Sequence, residues 1–148
     1  MWSKTIHKLT SWISGASDDS SEKSLGQLGE DAAARFLRGK KIQVVDRNVR
    51  FQNGEIDIVA VENRTVVFVE VKTRRSNDKG EPWEAVDRIK QAKILDLADA
   101  YMTREDILDQ KARFDIVSVT WSDDSKAPII EHLVDAFDES TVSDQFSI

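Results

Sequence analysis

Two acids and a lysine stand at spacings suited to phosphodiester hydrolysis: Asp57, within Gly54-Glu55-Ile56-Asp57-Ile58-Val59-Ala60, and the triplet Glu70-Val71-Lys72. Both lie in apolar runs rich in Val and Ile. Asn53-Gly54 precedes the first run and Asn63-Arg64 separates it from the second, the punctuation of a β meander. With Asn63-Arg64 as a two-residue turn, Glu62 pairs with Thr65, Asp57 falls opposite Glu70, and Glu55 falls opposite Lys72. Two carboxylates so opposed are about 4.5–5.5 Å apart at Cβ and cost up to about 1 kcal/mol unless something relieves them. A raised pKa on one of them is one relief; a hard divalent cation such as Mg²⁺, held by one or two carboxylates and open to phosphate oxygens, is another. Lys72 lies two residues beyond Glu70 on the same strand face, a point charge for a phosphate or an attacking water. These are the components of metal-assisted phosphodiester hydrolysis.

A bare Glu-x-Lys carries little weight, since it arises by chance about 0.5 times in a chain of this length. Asp109-Gln110-Lys111 and Asp124-Ser125-Lys126 satisfy the looser acid-x-Lys pattern but stand in polar connections. Glu70-Val71-Lys72 differs by closing an apolar strand with an acid on the neighbouring strand. On pattern alone two readings stand, a catalytic site and an exposed strand end with ordinary surface ion pairs worth about 0–1 kcal/mol.

The elements that must position these residues follow from periodicity. Leu25, Leu28, Ala32, Phe36 and Leu37 form one helical face, and Gly39 stops that helix. Ile42–Phe51 and Glu55–Val61 read as strands flanking an Asn53-Gly54 turn, and Thr65–Lys72 as a third. On the second strand Ile56, Ile58 and Ala60 point one way and Glu55, Asp57, Val59 and Val61 the other; on the third, Val67, Val69 and Val71 oppose Val66, Phe68, Glu70 and Lys72. Both faces are apolar enough to require cover. After the polar loop Ser76–Gly80, Pro82 marks a first helical turn, and a helix running to about Tyr101 is expected to be well buried. Arg113–Trp121 and Ile129–Phe137 complete the set as two strands. The fold class is a mixed α/β domain of about five strands flanked by helices.

The 148 residues suit one domain, and 40% hydrophobic content supplies a core. No run approaches the roughly 18–20 apolar residues of a membrane span, and the start lacks the apolar stretch of a signal peptide, so a cytoplasmic location is expected. Cysteine is absent and there are only two histidines, His7 and His132, which excludes disulfides, thiolate zinc sites and cysteine nucleophiles. Oxygen, lysine and arginine chemistry remains. The net charge of −6 conceals an uneven distribution. Residues 25–93 carry 14 basic and 11 acidic side chains, whereas residues 94–148 carry 4 and 13. The middle is mildly basic and the end strongly acidic, so the whole-chain charge is a poor guide to what the middle binds. Residues 1–24 read as an N-terminal extension, either a frayed segment or a short amphipathic helix (Trp2, Ile6, Leu9, Ile13) that docks a protein partner or a membrane surface, residues 25–137 as the domain, and residues 138–148 as a flexible tail.

Gly29-Glu30-Asp31-Ala32-Ala33, Arg47-Asn48, Gly54 to Ala60, Val67 to Arg74 and Arg113-Phe114-Asp115 together resemble the YraN family, which is similar in turn to archaeal Holliday-junction resolvases and other PD-(D/E)xK nucleases. The resemblance spans about Leu25 to Phe137. It implies a restriction-endonuclease-like fold and a Mg²⁺- or Mn²⁺-dependent nuclease core, with Asp57, Glu70 and Lys72 on the catalytic positions and Glu30 on the acidic helix position that completes the metal site beside Asp57 and Glu70. Ile56 stands where the motif's name has proline. Glu55 reads either as a supporting acid or as a partner of Lys72 or Arg74. Arg74, Arg75, Lys79, Lys90 and Lys93 are candidates for holding phosphates. Asp115, mid-strand, is expected to brace Arg113 or a turn. Cleavage of DNA, branched forms included, is the function these residues suggest; a non-catalytic nucleic-acid-binding module and a protein-interaction adaptor are the alternatives. A symmetric substrate would favour a homodimer with two sites.

Overall fold

The computed structural model describes residues 22–76, 80–81, 86–124 and 126–143. The expected amphipathic helix near the start, Lys79, Pro82 and the last five residues of the expected tail lie outside the described residues.

Helix α1 (Leu25–Gly39) opens on a reciprocal cap. The Ser24 hydroxyl accepts from the Gln27 amide at 3.2 Å, and the Gln27 side chain accepts from the Ser24 amide at 2.8 Å. Its buried face runs through Gly29, Ala32, Ala33 and Leu37. Leu28, expected on that face, is 41% exposed, because the helix presents its smallest residues to the sheet and approaches closely there.

Strands β1 (Gln43–Phe51), β2 (Gly54–Glu62) and β3 (Thr65–Arg75) form an antiparallel meander. The β2–β3 turn is Asn63-Arg64 as expected, with both residues left-handed at φ 47° and 63°. The β1–β2 turn is displaced by one residue from the expectation: Gly54 already pairs with Phe51, so Gln52 and Asn53 make the loop. Helix α2 (Arg88–Arg104) begins later than Pro82 suggests, because Asp87, extended at φ −71° and ψ 175°, accepts from the Lys90 amide at 2.9 Å and caps it. Strand β4 (Lys111–Trp121) lies parallel to β3, and β5 (Ile129–Phe137) antiparallel to β4, giving the order β1-β2-β3-β4-β5. The chain expected to continue as a tail instead makes a short helix, α3 (Glu139–Ser143), that buries Val142.

The five-stranded mixed sheet is covered on both faces, as an α/β fold of the restriction-endonuclease type requires. On the α1 face, Ala32, Leu37, Ile58, Val67, Val69 and Val117 pack together. On the α2 face, Val59, Phe68, Leu97 and Tyr101 do so, with Phe68 meeting Tyr101 edge-on at 5.8 Å. Among the described residues no helix is long and apolar enough to cross a membrane.

Asp115 is fully buried on β4 and does brace Arg113. It receives Arg113 Nε at 3.1 Å, a 2.8 Å contact with His132 Nε2, and the Asp135 amide at 2.9 Å. Burial pushes its pKa upward, but His132, Arg113 and that amide together hold it below the ordinary carboxylate value. Asp135 is left-handed at φ 54°, so this carboxylate satisfies the backbone where β5 bends. Arg113 passes on to Glu62 at 2.9 Å, which ties β2, β4 and β5 together.

Candidate metal-binding active site

The β2–β3 ladder keeps the expected register from Glu62↔Thr65 to Ile58↔Val69 and stops there. Asp57 and Glu70 therefore stand just past the last rung rather than opposed within it. The Asp57 carboxylate takes over the edge of the ladder by accepting from the Val71 amide at 2.9 Å. Glu55 is not opposite Lys72; it pairs with Arg50 of β1, whose Nε lies 3.2 Å away.

Strict alternation also fails at this point. Ile56 belongs to the α2-side core with Val59, whereas Ile58 and Ala60 belong to the α1 side, so Ile56 does not share their face. The inversion falls across Asp57. Its counterpart on β1 is Asn48, which lies between Arg47, the partner of Ile58, and Val49, the partner of Ile56, and is left-handed at φ 50°. Asn tolerates that conformation better than most residues. The twist it introduces turns Asn48 and Arg47 toward α1. Arg47 reaches Asp31 at 2.7 Å, and the Asn48 amide, oriented to satisfy its neighbours, donates to Glu30 Oε2 and to Glu55 Oε1, each at 2.8 Å.

Carboxylate oxygens of Glu30, Glu55 and Asp57 consequently lie within 4.8 Å of one another. Glu70 adjoins this group from β3: its charge, after burial, is the largest influence raising the Asp57 pKa, which reaches about 8, with Glu30 adding to the rise and the Val71 amide opposing it. Glu30 is raised too, first by burial and then by Glu55, against the opposing pull of Arg47 and Asn48. A convergent set of carboxylate oxygens fits a hard divalent cation.

The cations expected around the site divide by position. Lys72 Nζ lies 3.7 Å and Lys90 Nζ 3.2 Å from Glu70 Oε1. The Lys93 side chain lies over Gly54, where an added Cβ would come within 2.9 Å of its Cε. Arg74 donates to the Gly80 carbonyl, and Arg75 faces Asp123 at 3.8 Å. Asn48 and the full part played by Glu55 are what the residue pattern did not single out. The signal for Asn48 was its residue type inside a strand, next to Arg47.

Replacing Asn48 by Gly keeps the left-handed backbone but removes the clasp on Glu30 and Glu55. Asn48→Gly is expected to weaken Mn²⁺ binding by about tenfold with little loss of fold, read by calorimetry and circular dichroism. Unchanged affinity would show that the clasp does not organise the acids.

Residues 29–119 match a family described as Uncharacterised protein family UPF0102. A UPF0102 protein of Geobacter sulfurreducens is 47% identical over 116 residues, which covers 78% of this chain and 90% of the relative. One from Geotalea uraniireducens is 43% identical over 121 residues, covering 82% and 94%, and one from Dictyoglomus thermophilum is 41% identical over 115 residues, covering 78% and 98%. Residues 29–119 span Glu30, Asn48, Glu55, Asp57, Glu70, Lys72 and Lys90, and the chain belongs to the UPF0102 family, the YraN family that its sequence blocks resemble.

Proposed function

We propose that this protein is a Mg²⁺- or Mn²⁺-dependent nuclease that hydrolyses phosphodiester bonds of nucleic acid, with DNA, branched forms included, as its substrate class. The observation that carries the proposal is the convergence of Glu30, Glu55 and Asp57 within 4.8 Å, with Glu70 and Lys72 beside them at the open end of the β2–β3 ladder. Asp57 and Glu70 would hold the cation, with Glu30 and Glu55 completing its oxygen ligands. A bound cation supplies Lewis acidity, which activates water and stabilises the leaving oxygen.

The chain's own groups account for the remaining steps. As a ligand the Asp57 carboxyl would be deprotonated. The Val71 amide keeps that carboxylate at the strand end. Glu70 holds the ammonium of Lys72, which is 27% exposed and so within reach of both solvent and a phosphate. In that position Lys72 orients the attacking water and offsets charge growing on the phosphoryl oxygens. Lys90 and Lys93, from α2, extend the basic rim toward the nucleic-acid backbone. A homodimer presenting two such sites to a symmetric substrate, and a cytoplasmic location, belong to the same proposal.

Cleavage of linear and branched DNA in Mn²⁺, with wild type beside Lys72→Ala, tests it. Lys72→Ala is expected to lose about a hundredfold or more of the rate with no weakening of Mn²⁺ affinity by calorimetry. Salt-sensitive DNA binding that ignores both metal and the acids would instead identify a non-catalytic binding module. Loss of a protein partner on deleting residues 1–24, with no nucleic-acid phenotype, would identify an adaptor.

A further inference from the structure

Charge is unevenly shared within the site. The Glu70 side chain is only 7% exposed, yet its Oε1 faces two ammonium groups, Lys90 at 3.2 Å and Lys72 at 3.7 Å. Asp57, beside it, takes its hydrogen bond from a neutral backbone amide. The two lysines are not equivalent. Lys72 stands on β3 in the middle of the sheet, its backbone paired with Ser118 of β4, and its side chain is 27% exposed. Lys90 reaches across from the first turn of α2, and its side chain is 42% exposed, free to leave without disturbing the sheet.

A divalent cation held by Glu70 would stand on the same carboxylate whose Oε1 lies 3.2 Å from Lys90 Nζ. A dication and an ammonium that close repel strongly in a partly buried site. We infer that Lys90 is the exchangeable counter-ion of the site: its ammonium neutralises Glu70 while no cation is bound, yields that carboxylate to the divalent cation, and passes to a phosphate oxygen of the nucleic acid. The inference rests on the metal-dependent reading above and adds a competition built into it. An ammonium trades a carboxylate for a phosphate at little cost, since both are charge-assisted acceptors. Lys90 thereby keeps a buried acid paired in the resting protein and couples cation entry to the grip on substrate.

Calorimetric titration of Mn²⁺ into the full chain tests the competition. Lys90→Met is expected to bind Mn²⁺ about three- to tenfold more tightly than wild type, because the competitor is gone. Lys90→Gln provides the same readout should the Met variant fold poorly. Arg88→Gln, which removes one charge from the same helical turn, is expected to stay within about twofold of wild type. Equal or weaker binding by both Lys90 variants overturns the inference, as does equal tightening by Arg88→Gln, which would mark a general charge effect. No binding by wild type overturns the metal reading, and the inference with it.

The transfer to phosphate is read in a Lys72→Ala background by anisotropy of a labelled oligodeoxynucleotide. There Lys90→Met is expected to weaken binding with Mn²⁺ present and to change it little without Mn²⁺. An equal loss in both conditions would make Lys90 an ordinary phosphate contact and overturn the exchange.

Discussion

Asp57→Asn is expected to abolish Mn²⁺ binding and cleavage and, in the metal-free protein, to raise the melting temperature. The variant keeps an oxygen to accept from the Val71 amide, 2.9 Å away in the wild type, so the strand end stays closed. It loses the ability to carry charge. Burial, Glu70 and Glu30 raise the Asp57 pKa from 3.8 to about 8, so near neutrality the folded chain holds a proton that the unfolded chain has lost. A raised carboxyl pKa contributes stability that is complete at acid pH and lost progressively as pH rises to about 8. Wild-type melting temperature is therefore expected to fall across that window. The contribution of position 57 is expected to stay flat in Asp57→Asn, and its advantage at pH 8 is on the order of a few kcal/mol.

The proposed metal binding has the opposite dependence. A cation needs the deprotonated carboxylate, so wild-type Mn²⁺ affinity is expected to rise with pH up to about 8 and binding to release protons. Calorimetry in buffers of different ionisation enthalpy measures that release. Undiminished Mn²⁺ binding by Asp57→Asn would remove Asp57 from the ligand set.

The second large effect belongs to packing. Gly29→Ala would improve helix propensity by about 1 kcal/mol in an exposed helix. Here the added methyl would stand 1.8 Å from Thr73 Oγ1 and 2.9 Å from Thr73 Cβ and Cγ2. Thr73 is β-branched and paired with Val119 in the centre of the sheet, so it cannot turn aside. α1 must move away from β3, and Glu30, the next residue, moves with it. Overpacking of this kind costs about 1–3 kcal/mol, and so severe an overlap belongs at the upper end. The expected net result in urea unfolding is a loss of about 2 kcal/mol, together with weaker Mn²⁺ binding. Gly26→Ala on the same helix meets only Ser24 Oγ, at 3.9 Å, and is expected to be neutral or stabilising. Equal behaviour of the two substitutions would show that α1 does not rest on Thr73.

How far the site was legible depends on which regularity each residue obeys. The β2–β3 register followed from Asn63-Arg64, because a two-residue turn with two left-handed residues leaves one way to pair the strands, and the rungs from Glu62↔Thr65 to Ile58↔Val69 are the expected ones. Asp57, Glu70 and Lys72 could be placed near one another on that basis. The inference fails one residue later, since alternation assumes every residue is extended and Asn48 is not. Beside that left-handed residue Ile56 turns to the α2 side, and Glu55 lies with Arg50 and Asn48 instead of Lys72. The start of α2 was misplaced for a comparable reason: proline at a first turn is permissive, whereas the Asp87 side chain supplies the hydrogen bond that begins the helix.

By itself the sequence determined the order of elements, the two-sided sheet and the three residues of the motif, because hydrophobic period and turn chemistry are local and the chain carries them openly. Tertiary structure alone decided which acids converge. Glu30 reaches the site because Gly29 lets α1 settle onto Thr73, Glu55 because Asn48 draws it toward Glu30, and Lys90 because an Asp87 cap aims the first turn of α2 at Glu70. Each of these depends on contacts between residues distant in the chain, where close approach and charge, rather than spacing, set the outcome.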